Sequence, residues 1–169
     1  MMDVAREVFS ERNGFVLCNP ARLDGHHGGS ARGLDLLHLY STSPLGDAVA
    51  ASGAAIPVMD LETAKYTLIV RKASEPSLIT RPYLVSTGWI LHAGAEPLAL
   101  CSAGYLAHWN PDHPKVLRPR VAPGWYEVKI VGGFDKPTND DWILEFVLHP
   151  SREPPTLSAD LRAELRQAH

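Results

Sequence analysis

Three stretches of this sequence alternate apolar and polar residues with a period of two, and no pattern in the chain restricts its fold more. In AKYTLIVR, Ala64, Tyr66, Leu68 and Val70 share one face, opposite Lys65, Thr67, Ile69 and Arg71. In WYEVKIV, Tyr126, Val128 and Ile130 oppose Glu127 and Lys129. In DWILEFVLH, Trp142, Leu144, Phe146 and Leu148 oppose Ile143, Glu145, Val147 and His149. That period belongs to β-strands with one face on a core and one toward water. It predicts Tyr66, Leu68, Val70, Tyr126, Val128, Ile130, Trp142, Leu144 and Phe146 as inward-facing.

Fourteen prolines and thirteen glycines cut the chain into short segments, as in β-rich proteins. Further strand candidates are residues 15–19, 34–40, 83–92, 97–101 and 104–109. Asn13-Gly14 between two apolar runs is a hairpin signal. Val4 and Val8, four apart, support a competing helix over residues 3–11. Positions 125–131 and 142–148 read as hairpin partners across the turn-forming GGFDKPTND, whose aspartates suit a solvated turn. The alanines of 43–60 permit a short helix interrupted by Gly53 and Pro57.

At the C-terminus, Ser158 as cap and Leu161 and Leu165 one turn apart predict a helix over about 158–168. The expected fold is mainly β: an antiparallel β-sandwich or open barrel of about seven or more short strands with one C-terminal helix. Residues 1–154 form a single β-rich domain in this reading. Residues 155–169 are a proline linker and a helix packed on it. At 169 residues, one domain is the default.

A net charge of -3 offers no basic excess for nucleic acid or anionic membranes. No apolar run approaches the roughly 20 residues that span a bilayer, and the N-terminus has no signal-peptide core. A cytoplasmic protein is expected, with Cys18 and Cys101 as buried, reduced thiols.

Two polar segments hold the candidate ligand-binding residues. HWNPDHP contributes His108, Trp109, Asp112 and His113, and DGHHGGSARG contributes His26, His27 and Arg32. Imidazole and carboxylate side chains suit a divalent transition metal, and an arginine beside glycines suits an anion. Yet Asn110-Pro111-Asp112-His113 also reads as a type I turn, and 24–33 as a loop between strands. The histidines form one site only if the two segments meet. Neither segment completes a catalytic or phosphate-binding motif, and no cofactor is expected.

PLALCSAGYLAHW (97–109) followed by PGWYEVKIVGG (123–133) resembles segments of small β-rich bacterial inhibitor and immunity proteins. The resemblance implies a non-enzymatic binding or regulatory module with a protein partner or small ligand. It carries over no individual functional residue. Two alternatives stand beside it. One is a metal-dependent hydrolase or small-ligand-binding protein using loops 24–33 and 108–113. The other is a homo-oligomeric structural protein, a homodimer for instance, that pairs through a sheet edge or the terminal helix.

Overall fold

The computed structural model describes residues 3–134 and 142–161. Among them, eight strands form two sheets: β1 (Asp3–Phe9), β2 (Phe15–Cys18), β3 (Ala55–Val58), β4 (Lys65–Lys72), β5 (Arg81–Ala93), β6 (Ala99–Ser102), β7 (Gly124–Phe134) and β8 (Trp142–Ser151). The larger sheet has the order β1-β4-β8-β7-β5, and the smaller β3-β2-β6. Three short helices, α1 (Pro20–His26), α2 (Leu36–Thr42) and α3 (Leu45–Ala51), complete the architecture. The protein is mainly β, a sandwich rather than a barrel, because each sheet ends in its own edge strands.

The alternation places the core as expected. Eight of the nine inward residues belong to the cluster between the sheets, and Trp142 packs against it half-buried. The small sheet contributes Phe15, Leu17, Ile56, Val58 and Leu100 from its inner face. Its outer face carries Val16, Cys18, Ala55, Ala99 and Cys101 into a second cluster with Leu23, Leu36, Val49, Leu106 and Trp109. The result is three layers: large sheet, small sheet, helices. FVLC is buried at every position because both faces of β2 are covered.

Several expectations need correction. The large sheet is not wholly antiparallel: β4 runs parallel to β8, from Tyr66 opposite Trp142 to Lys72 opposite Leu148. A parallel pair requires a crossover, and the long excursion through β5, β6 and β7 supplies it. Nor is the outer face of β4 and β8 wet. Ile69, Ile143, Glu145 and Val147 are buried there. Glu145, at 0% exposure, accepts hydrogen bonds from Ser77 Oγ (2.7 Å) and Leu78 N (3.1 Å) and pairs with Arg71 Nη2 at 3.2 Å. The segment following β4 is thereby strapped over the sheet.

At the N-terminus neither the helix nor the hairpin forms. β1 joins β4 in the large sheet while β2 lies in the small one. The chain changes sheets at the corner between them, pinned by buried Ser10, whose hydroxyl donates to Glu62 O (2.9 Å) and accepts from Ala64 N (3.0 Å). Gly14 is extended and sits where a Cβ would lie 2.5 Å from Val58 O. Close backbone approach, not a turn, requires that glycine.

Residues 34–40 and 104–109 are not strands. Asp35 caps α2, its side chain accepting from His38 N at 3.0 Å. Leu36, Leu39 and Tyr40 then fall on one helical face. Ala103–His108 is a 3-10 helix, which brings Leu106 and Trp109, three apart, onto one side and into the second cluster. The alanine-rich stretch yields α3, ended by Ser52 and by Gly53 at φ +77°. Pro57 is accommodated because β3 is an edge strand. The predicted C-terminal helix lies, from residue 162 onward, outside the described residues, as do the aspartates of 135–141. Among the described residues no helix is long and apolar enough to cross a membrane.

Candidate functional site

The two polar segments meet, but not through their histidines. Asn19 caps α1 and Pro20 occupies its first turn, where a missing N–H costs nothing. The helix ends into a glycine loop closed by Asp24, whose Oδ1 accepts from Ala31 N at 2.8 Å. Gly28, at φ +67°, makes the turn that brings Gly29 N back to Asp24 O (3.2 Å). The loop then joins the second segment along the backbone: Gly33 N donates to Trp109 O (2.8 Å) and Trp109 N to Leu34 O (3.0 Å).

HWNPDHP closes as a turn on Asn110. His113 N donates to Asn110 O (3.1 Å) and Asp112 N to Asn110 Oδ1 (3.0 Å). Across the junction, Arg32 Nη1 lies 2.8 Å from Asp112 Oδ2, and Arg118 Nη2 lies 2.6 Å from Asp112 Oδ1. Arg118 also donates to Pro111 O at 2.8 Å. Hydrogen bonds from Arg118 hold the Asp112 carboxyl below the usual carboxylate range, with further support from its charge and from Arg32. All three side chains are about half exposed, at 55%, 56% and 49% for Arg32, Asp112 and Arg118.

The histidines are dispersed. Ser52 Oγ donates to Val49 O (2.9 Å), so its oxygen accepts from His26 Nε2 at 2.7 Å. His27 Nε2 bonds the Tyr40 hydroxyl at 2.8 Å and stacks on that ring, centroids 5.8 Å apart. His113 Nδ1 accepts from Lys115 N (3.1 Å), and its ring packs on Tyr105 at 4.9 Å. His108 is exposed at the end of the 3-10 helix. Trp109 is 0% exposed and fills the second cluster, so it is not a surface anchor. Among the described residues no three His, Cys, Asp or Glu side chains gather as ligands for an ion. Cys18 and Cys101 are buried. Burial, then the neighbouring Cys101, raises the Cys18 thiol well above its ordinary value, and burial pushes Cys101 up to about 12. Thiols held protonated in this way are poor nucleophiles.

Two features escaped the sequence. A cleft of about 570 Å³ opens between the small sheet and α2–α3, floored by Val16, Ala55 and Pro57 and lipped by Tyr40, Ser43 and Asp47. The capping aspartate and the Leu36/Leu39/Tyr40 spacing were the signals for the helix that forms its lip. The second is a knot at the end of β5 and β7. The Arg22 guanidinium sits 4.9 Å over the Trp125 ring while donating from Nε to Ser52 O (2.7 Å). His92 meets the same ring edge-on at 4.7 Å. Burial, then the Arg22 charge, lowers the His92 pKa below its ordinary value.

A mixed β-sandwich whose small sheet is roofed by short helices is the class these layers define. No protein-family model matches the chain, and no curated protein matches it. Among solved structures, one similar chain is described as ComJ, inhibitor of the DNA degrading activity of NucA, from Bacillus subtilis: 12% identity, TM-score 0.46, covering 88% of this chain and 99% of that one. Another is described as Crocagin biosynthetic gene J: 13% identity, TM-score 0.51, covering 90% of this chain and 99% of that one. The latter likeness is one of fold alone.

Proposed function

We propose that this protein is a small cytoplasmic, non-enzymatic binding or regulatory module of the inhibitor or immunity type, and that loops 24–33 and 108–113 form the face it presents to a protein partner. One observation carries the reading. The two loops, remote in sequence, are locked edge to edge by backbone bonds at Gly33, Leu34 and Trp109 and by Asp112 held between Arg32 and Arg118. A face fixed before binding loses little conformational entropy on association. Arginine is enriched at interfaces, and half-exposed guanidiniums keep donors for a partner's carboxylates.

Site-specific photo-crosslinking tests the proposal. A photoreactive phenylalanine derivative at position 108 or 115 is expected to capture one and the same protein in cells. The same group at position 129, exposed on the large sheet, is expected to capture none of it. Equal capture from 129, or no common protein from 108 and 115, would count against this face.

A further inference from the structure

We infer that Arg22, stacked on Trp125, receives the carboxylate of an aspartate or glutamate side chain presented by the protein partner. That the carboxylate comes from a protein rests on the functional reading above; the preference for a carboxylate rests on the cluster itself. The arginine is fixed in place. Its guanidinium carbon lies 4.9 Å from the centre of the Trp125 ring, and Nε donates to Ser52 O at 2.7 Å. Ser52 is anchored in turn at the end of α3, its N donating to Ala48 O at 3.0 Å. The indole is wedged as well. His92 meets it edge-on at 4.7 Å, and a Cβ on Gly53 would lie 2.9 Å from its Cζ3.

What remains of the guanidinium is a fork. Arg22 is half-buried, and with Nε taken, its Nη1 and Nη2 have no acceptor among the described residues. Neither is shut off from water, since the buried side-chain nitrogens that lack a partner lie on Arg71, His92 and Trp109. Two N–H groups on one edge of a planar guanidinium match the two oxygens of a carboxylate. Holding that plane beforehand reduces the side-chain entropy lost on binding.

Charge selects among anions. Burial, then the Arg22 charge, lowers the His92 pKa below its ordinary value, so His92 is neutral at pH 7. The guanidinium is then the one charge among Arg22, His92 and Trp125. It balances a carboxylate and leaves a phosphate monoester, at about -1.5 to -2, under-neutralised. Arginine and tryptophan are also the residues enriched where partners are held most strongly. The position agrees with the partner face, because α1 carries Arg22 into the loop 24–33.

The test uses the isotope-labelled full chain and three blocked pentapeptides, glycine-leucine-X-leucine-glycine with glutamate, glutamine or phosphoserine at X, read by the Trp125 indole N–H resonance. The glutamate peptide is expected to shift it saturably and to bind at least about tenfold more tightly than the glutamine peptide, as charge-assisted hydrogen bonds give. Arg22→Gln is expected to make the two equal. Arg22→Lys keeps the charge without the fork, and is expected to weaken the glutamate peptide at least about threefold. Equal binding of the glutamate and glutamine peptides to wild type would overturn the inference. So would tighter binding of the phosphoserine peptide, a glutamate preference that survives Arg22→Gln in a folded variant, unchanged affinity in Arg22→Lys, or saturation at other residues while the Trp125 indole stays unmoved. A photoreactive phenylalanine derivative at position 21, exposed in α1, is expected to capture the protein captured from 108 and 115. Capture from 108 and 115 but not from 21 would overturn the inference and leave the partner face standing.

Discussion

Glu145 shows how much one side chain can hold. Its carboxylate is removed from water, and the partners that compensate it come from Arg71 at the end of β4 and from Ser77 and Leu78 just beyond. Removing one member of a buried pair leaves the other charge stranded. Arg71 is poorly placed to bear that, because its Nε already has no partner. Glu145→Ala is therefore expected to cost about 3–5 kcal/mol in urea unfolding. A loss under about 1 kcal/mol would place this pair with exposed ion pairs. His92 gives a second expectation at this scale. Its ring meets Trp125 edge-on, Arg22 sits over that same tryptophan, and burial and then the Arg22 charge lower its pKa in the fold. The unfolded chain then binds more protons than the folded one as pH falls through the ordinary histidine value near 6.5. The stability from neutral His92 is complete above that value and declines below it, until the folded pKa is passed. The unfolding midpoint of wild type should thus fall more between pH 7 and pH 5 than that of His92→Phe. Parallel pH profiles would show that His92 is not a source of acid sensitivity.

Among the elements, β5 depends most visibly on a single backbone position. Gly88, at φ +87°, lies at the irregularity in the β5–β7 register, and its carbonyl accepts from both Ser158 N and Ala159 N. A Cβ there would sit 2.5 Å from Ser158 Oγ and 2.6 Å from Ala159 N. Gly88→Ala combines a strained φ with a backbone clash, so it should release the segment whose Leu157, Ala159 and Leu161 pack on the core. Amide exchange at Ser158 and Ala159 is expected to accelerate while amides of β7 and β8 stay protected. Unchanged exchange at both residues would show that the segment is held from elsewhere.

The elements also mark where the sequence could be read. β4, β7 and β8 were legible because each has a core face that keeps period two, and the pairing of β7 with β8 followed, whereas the parallel pairing of β4 with β8 did not. The 34–40 stretch failed because LDLLHLY is apolar at helical and strand spacing alike, and the deciding group was the Asp35 side chain. The Asn13-Gly14 signal failed because β1 found its partner in β4, a long-range pairing that no local pattern encodes. In the site, the turn at Asn110 was local and legible. The Arg32–Asp112 contact spans 80 positions and was not.

For the molecule as a whole, the layers divide the work. The large sheet and the inner face of the small sheet supply the main core, while the outer face of the small sheet carries the helices and loops that bear the candidate site. The lock of Arg32, Asp112 and Arg118 is half exposed and so contributes little to stability, which separates its functional role from folding. That separation makes one measurement decisive: calorimetric titration of the purified partner, identified by crosslinking, into wild type and into an Arg32→Ala/Arg118→Ala variant. The account predicts that the variant melts at nearly the wild-type temperature and binds at least about tenfold more weakly. Wild-type affinity in a folded variant would contradict the claim that loops 24–33 and 108–113 are the partner-binding face.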